Sequence, residues 1–308
     1  MMRHRIIHDT IFSYDHPVHE SVMEVRLHPC SNNRQRCEQF TLQITPKTAI
    51  HTYVDAAQNI INHFQIPGQL TKLHVRAESM VEVYPHEPLP TSVPEGAWGA
   101  YETIQNTPML DMLLASTYAK PSVALDAFMH EHDVTRKSDP LSTVRAINTL
   151  LYQVISYTPQ STTVDSTIDD VLAHRKGVCQ DISHLMIAMC RRIGIPARYI
   201  SGYLYHRRGD NDRSQTDATH AWVEVWIPGL GWAGFDPTNN MESGERHITV
   251  ATGRDYADVT PTRGIYRGVA NEALGVSVRI NDDDTHAPLI HNTRLTWPTE
   301  KQQQQQQQ

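Results

Sequence analysis

Pro85, Pro88, Pro90 and Pro94 place four prolines within ten residues, and this run separates two stretches of chain with different periods. Each proline removes a backbone donor and fixes φ, which excludes a helix interior or a central strand. From His8 to about Tyr84 apolar and polar residues alternate in short runs, such as Phe40-Thr41-Leu42-Gln43-Ile44 and Leu73-His74-Val75-Arg76-Ala77. A period of two, broken by turn-rich pieces, reads as antiparallel strands. The chain of 308 residues also suits two domains at roughly 100–200 residues each. The reading is an N-terminal antiparallel β-sandwich over residues 1–85 and a proline-rich linker over 86–97.

Beyond the linker the period lengthens. Thr107-Pro108 and Asp139-Pro140 each set a capping side chain before a proline at the first helical position. The second pair opens an amphipathic helix with Leu141, Val144, Ile147, Leu151, Val154 and Ile155 on one face. Another helix is expected from about Thr167 to His174, with Ser166 and Asp169 at its start and Gly177 after its end. Past Arg198 the pattern returns to strands, so the class is α+β, with the second domain over 98–280. Residues 281–308 carry consecutive aspartates and end in seven glutamines. That composition offers too little apolar surface to offset ordering entropy, and the tail is expected to be disordered.

Charge and cysteine usage narrow the function classes. A net charge of −7 gives no basic excess for phosphate backbones or anionic lipid, so neither nucleic acid nor membrane is expected as a partner. The N-terminus lacks the apolar stretch of a secretory signal, and no run is long enough to span a bilayer. Four cysteines, Cys30, Cys37, Cys179 and Cys190, are too sparse for a disulfide framework, so reduced thiols and a cytoplasmic location are expected. The six-residue gap between Cys30 and Cys37 is wider than a zinc knuckle uses. No His-Glu-x-x-His pattern occurs among the 18 histidines, so no metal and no cofactor are expected.

The informative stretch is Gly177-Val178-Cys179-Gln180-Asp181, which leads into a helical stripe at 182, 185, 186, 189, 190 and 193 and ends at Gly194 and Pro196. Cys179 falls in the first turn, where unpaired N–H groups and the helix dipole favour a thiolate and could hold an oxyanion. The alternative is a small buried hydrophobe, the ordinary role of a free cysteine. That alternative suits mid-helix Cys190, which lies about 16 Å further along at about 1.5 Å per residue. A nucleophilic thiolate needs a base. Thr219-His220-Ala221-Trp222-Val223-Glu224-Val225 and Gly231-Trp232-Ala233-Gly234-Phe235-Asp236 read as two strands of a hairpin, with His220 and Asp236 at the same end. A carboxylate beside imidazole fixes its tautomer and stabilises the imidazolium, so Cys179, His220 and Asp236 form the candidate catalytic set. The hairpin supplies a test: an even loop points Asp236 and His220 to opposite faces, so the sequence predicts an odd loop or a bulge.

Neighbouring residues carry two readings each. Asp181 is a dipole-compensating residue or a catalytic one, and His184 a substrate contact or a packed polar residue. Trp222, Trp226 and Trp232 are core or the lining of an acyl groove, and Tyr157 is a candidate hydrogen-bond donor to the oxyanion.

Three motifs, in order, resemble the transglutaminase-like superfamily of papain-related cysteine enzymes, and specifically its bacterial two-domain members: Gly177–Asp181, Thr219–Val225 and Gly231–Thr238. His8-Asp9-Thr10, Arg26-Leu27-His28-Pro29 and Asp55 with Asn59 resemble the family's N-terminal β-rich region, and Gly253–Asp258 with Arg263-Gly264 the segment after the core. The resemblance implies a papain-like core in which Cys179 attacks a carboxamide or peptide carbonyl, His220 shuttles the proton and Asp236 orients His220. It implies a peptide or protein substrate, with acyl transfer to water as the leading expectation and to an amine as the alternative. A non-catalytic assembly module with a vestigial triad is the third reading. The N-terminal sandwich is then a candidate surface for a protein partner. No calcium-binding pattern accompanies the motifs.

Overall fold

The computed structural model describes residues 1–282 apart from 86, 105, 106 and 208. Two strands of 24 residues, β1 (Met2–Val25) and β4 (Ile60–Val83), run antiparallel along their whole length, from Met2 opposite Val83 to Val25 opposite Asn62. Register shifts between Ser13 and Val18 and between His19 and Ser21 bend the pair, as bulges do. One arm adds β2 (Gln35–Thr45) beside β4 and the other adds β3 (Ile50–Val54). Phe12, Val25, Phe64 and Leu73 from the two arms share one apolar core, so the expected sandwich is a single sheet folded across itself.

That sheet is not complete at residue 85. Its outer edges on β1 are covered by β12 (Thr262–Arg267) and β13 (Glu272–Asp282), the last strands of the described chain. The expectation that residues up to 280 belong to the second domain is therefore corrected: period-two alternation identifies a strand but not its partner, and the exposed edge of β1 is the partner here. Strand β13 also takes in Asn281 and Asp282, two residues expected in the tail. The polyglutamine end lies outside the described residues.

The intervening chain forms α1 (Gly99–Glu102), α2 (Thr107–Asp111), α3 (Val123–Glu131), α4 (Pro140–Val154), the short parallel pair β5 (Ser156–Tyr157) and β6 (Lys176–Gly177) around α5 (Ile168–His174), and then α6 (Cys179–Arg192). A five-stranded antiparallel sheet follows, in the order β10-β9-β8-β7-β11, from β7 (Ala197–Leu204), β8 (His220–Ile227), β9 (Gly231–Asp236), β10 (Met241–Glu242) and β11 (His247–Gly253), with α7 (Tyr256–Val259) behind it. Helix α4 begins as read, with Asp139 accepting the Ser142 amide at 3.0 Å. The cap of α5 is Thr167, reciprocated by Asp170, and its left-handed C-cap is Arg175 (φ 52°) in place of the expected Gly177. Gly177 serves a close approach instead, since a Cβ there would lie 2.9 Å from Asp181 Cβ. No helix of the described residues is long and apolar enough to cross a membrane.

Helix α6 is the centre of the core. Ile182, Leu185, Met186, Met189 and Cys190 pack as the stripe predicts, but Gln180, Asp181, Ser183, His184 and Arg191 are buried as well, the pattern of a helix enclosed on all sides. The folded sheet docks on the core through Ile6, Val81, Val83, Tyr203, Ile248 and Val250. Two carboxamides complete the joint. Gln35 and Asn59 each donate to and accept from the backbone of β11, at Thr249 and Thr252, which satisfies an edge strand that would otherwise expose paired donors and acceptors.

Candidate active site

Cys179 opens α6, and no side-chain cap occupies the helix N-terminus. The preceding turn is held by Asp181, whose Oδ2 accepts the Val178 amide at 2.8 Å and the Thr162 hydroxyl at 2.7 Å. Burial pushes the Asp181 carboxyl up to about 6, with the two hydrogen bonds only partly opposing it. Asp181 is thus the structural residue of the first turn.

Strands β8 and β9 bring His220 to Asp236. Ile227 stands opposite Gly231 and Trp226 opposite Trp232, so the loop is residues 228–230, an odd length, with φ of 81° at Gly229 and 79° at Gly231. Positive φ in a three-residue hairpin is the usual reason for glycine there. Val223 stands opposite Phe235, and continuing that register places Asp236 across from Trp222, on the same face as His220. The parity expectation holds. His220 Nε2–H donates to Asp236 Oδ2 at 2.8 Å.

The electrostatics follow from burial and pairing. Burial disfavours the imidazolium, but the charge and hydrogen bond of Asp236, followed by the Cys179 thiol, more than compensate and raise His220 to about 10. Burial also opposes the Asp236 carboxylate, yet His220 and then His247 hold its carboxyl far below the usual range. The Thr238 and Asn239 amides bind Oδ1 at 3.0 and 3.2 Å, and Asn239 Nδ2 binds Oδ2 at 2.8 Å. The arrangement can hold a proton on His220.

His247 and Asn239 were not singled out in the sequence. His247 is one scattered histidine among many until β11 pairs with β7 and β7 with β8, which sets it near Asp236. Its Nδ1 accepts the Gly244 amide at 3.1 Å, so Nε2 carries the proton and donates to Asp236 Oδ2 at 3.4 Å. The His220, Asp236 and His247 donor atoms lie within 4.8 Å of one another, a spacing that invites a metal reading. They do not fit one: the Gly244 N–H fixes a tautomer whose Nε2 has no lone pair to offer. The signal for Asn239 lay in Asp236-Pro237-Thr238-Asn239, since a residue shortly after a strand-end aspartate readily closes an Asx turn.

Asn239 also ties Asp236 to the segment between β7 and β8. Its Oδ1 accepts the Arg213 and Ser214 amides at 2.7 and 3.2 Å, and its Nδ2 donates to Ser214 Oγ at 3.0 Å. One residue on, the Gln215 amide donates to the Tyr157 hydroxyl at 3.3 Å. Burial first and Cys179 second push the Tyr157 phenol upward, which keeps it a neutral donor near the thiol. Cys179 is 2%, His220 3% and Asp236 0% exposed.

The remaining candidates resolve toward packing. His184 is buried, stacks on Tyr118 at 5.1 Å and accepts the Tyr256 amide at 3.2 Å, and burial drops it to about 3. Trp222 lies in the core beside His220 and His247, Trp226 packs on Tyr101, and Trp232 lies under Arg198 at the far end of β9.

Comparison with known proteins agrees with this architecture. Residues 4–82 match the bacterial transglutaminase-like N-terminal region and residues 130–237 the transglutaminase-like superfamily. An uncharacterized protein of Mycobacterium leprae is 34% identical over 281 residues, spanning 91% of this chain and 99% of that one. A protein-glutamine gamma-glutamyltransferase of Pseudomonas aeruginosa is 31% identical over 160 residues, 47% of this chain and 21% of that protein. Among solved structures, one from Cytophaga hutchinsonii described as a "putative cysteine protease" superposes with a TM-score of 0.72 over 98% of this chain and 96% of its own, at 21% identity. The two-part architecture and both matched regions agree, and the chain belongs to the transglutaminase-like superfamily, with the N-terminal region of its bacterial members.

Proposed function

We propose that the protein is a cysteine-dependent acyl-transfer enzyme that hydrolyses a peptide or amide bond. The observation that carries this reading is the buried His220–Asp236 pair at 2.8 Å, acting on a cysteine at the uncapped start of a buried helix. The Cys179 thiol passes its proton to His220, and the sulfur attacks the carbonyl carbon as the C=O π pair moves to oxygen. Backbone N–H groups of the first turn of α6 stabilise that oxyanion. As the C–N bond breaks, the imidazolium returns its proton to the leaving amine, and a thioester remains on Cys179. Water, deprotonated by His220, then attacks the thioester, and the thiolate leaves and is reprotonated.

A second reading is transfer of a glutaminyl acyl group to a primary amine, favoured by the Pseudomonas aeruginosa relative that bears that name. Incubating the protein with a glutaminyl peptide and a dansylated amine separates the two. Free acid without amine adduct supports hydrolysis, and the adduct supports transamidation. Cys179→Ala removes both. If the wild-type protein yields neither product and Cys179 alkylates no faster than Cys190 in denaturant, the enzyme reading fails and the assembly-module reading replaces it.

A further inference from the structure

The β8–β9 hairpin carries Asp236 at one end and Trp232 at the other, roughly 13 Å apart at about 3.3 Å per strand residue. Beyond Trp232, between the folded sheet and the core, lies a cavity of about 670 Å³, a volume in the range of small-ligand sites. The 55–59 turn, Arg26 and β12 wall it on one side, and α2, β7, β11 and α7 on the other. Four arginines and no lysine line it: Arg26, Arg198, Arg254 and Arg263.

Two of these are engaged. Glu224 holds Arg198 at 2.8 and 2.6 Å, and Asp258 holds Arg254 at 2.8 and 3.0 Å. The other two keep spare donors. Arg26 reaches Glu24 at 3.4 Å through Nη2 while its Nε is buried with no hydrogen-bond partner. Arg263 is exposed and makes no side-chain hydrogen bond or ion pair among the described residues. The acids on the walls do not answer them. Asp55 is consumed by the Ala57 and Asn59 amides and the Asn59 side chain, Asp258 by Arg254, and Asp111 sits at the exposed rim. Met109 and Met112 line the cavity beside them, and Val54 and Leu110, next to its lining residues, are 55% and 40% exposed.

We propose that this cleft is a second binding site, separate from the triad, for a short peptide segment that presents a carboxylate to Arg26 and Arg263 and aliphatic side chains to the methionines. Arginine forks match carboxylate geometry, and methionine adapts to varied apolar partners. Because both halves of the molecule supply the walls, an occupant also strengthens their docking.

The test uses the full chain carrying Cys179→Ala, so that turnover and failure of the catalytic reading leave the result unaffected. Calorimetric titration with acetyl-Leu-Glu-Leu-amide is compared with acetyl-Leu-Gln-Leu-amide. The glutamyl peptide binds about tenfold more tightly, a gap of one decade in Kd, and Arg26→Gln and Arg263→Gln each abolish the difference. Arg263 is exposed, so its variant keeps the test valid if Arg26→Gln lowers the melting temperature. Equal affinity for the two peptides, no saturable binding at millimolar concentration, or a preference that survives Arg263→Gln would overturn the proposal. Displacement by inorganic phosphate as effective as by the glutamyl peptide would reassign the cleft to phosphate and overturn the peptide assignment.

Discussion

Asp181 and Asp236 are both buried carboxyl groups at element ends in the same core, and they are pushed in opposite directions. Asp236 meets an imidazole that can carry charge and further donors on both oxygens. Asp181 meets a neutral amide and a neutral hydroxyl, and its Oδ1 is buried with no hydrogen-bond partner. Burial is common to both, so the charge of the neighbour decides the sign. The stretch at the start of α6 is therefore built for position, and the end of the β8–β9 hairpin for charge.

The largest expected effect comes from breaking the charged member. Asp236→Asn should lower turnover by about 10³–10⁴, the cost of a lost orienting carboxylate in a catalytic triad. Retention of more than a tenth of the wild-type rate would remove Asp236 from the mechanism. Next, Asn239→Ala should cost about 10–100-fold, the range for a residue that orients a reacting group, and should speed amide hydrogen exchange across 213–215. Unchanged exchange there would show that Asn239 does not hold the segment. His247→Gln, which keeps a donor and an acceptor, should change the rate by only about threefold, because its bond to Asp236 is long at 3.4 Å and long bonds are weak.

Asp181→Asn should alter the rate least and stability most informatively. The folded-state value of about 6 lies above the ordinary aspartate value of 3.8, so between those pH values the folded protein holds a proton that the unfolded chain has released. Stability from this group is present at low pH and falls as pH rises through that window, by an amount on the order of 2–3 kcal/mol. The variant should flatten that limb in denaturant melts. His220 acts with the same sign in a higher window: its value is raised to about 10, so its contribution is full below about 6.5 and is lost as pH climbs through 10. His220→Ala should erase the alkaline limb and leave the acid one.

Much of the site was legible because its signals are local. Asp139 before Pro140, the cysteine at a helix start and the odd Pro228-Gly229-Leu230 loop each depend on residues a few positions apart. The expected pairing of His220 with Asp236 required an odd loop or a bulge, since strand side chains alternate strictly, and the register of β8 with β9 meets that requirement. His184 was harder. Its place off the apolar stripe suggested a polar environment, but α6 is enclosed on every side, and Tyr118 and the Tyr256 amide come from distant segments.

The sequence by itself determined most of the elements and the order of the three motifs, because helix and strand periods and caps are short-range properties of the chain. Tertiary structure decided that β12 and β13 return to the edges of β1, that His247 and Asn239 converge on Asp236, and that four arginines meet beyond Trp232. Those facts rest on which strands pair across long separations. An exposed strand edge accepts any partner of suitable pattern, and only packing of the whole chain selects among them.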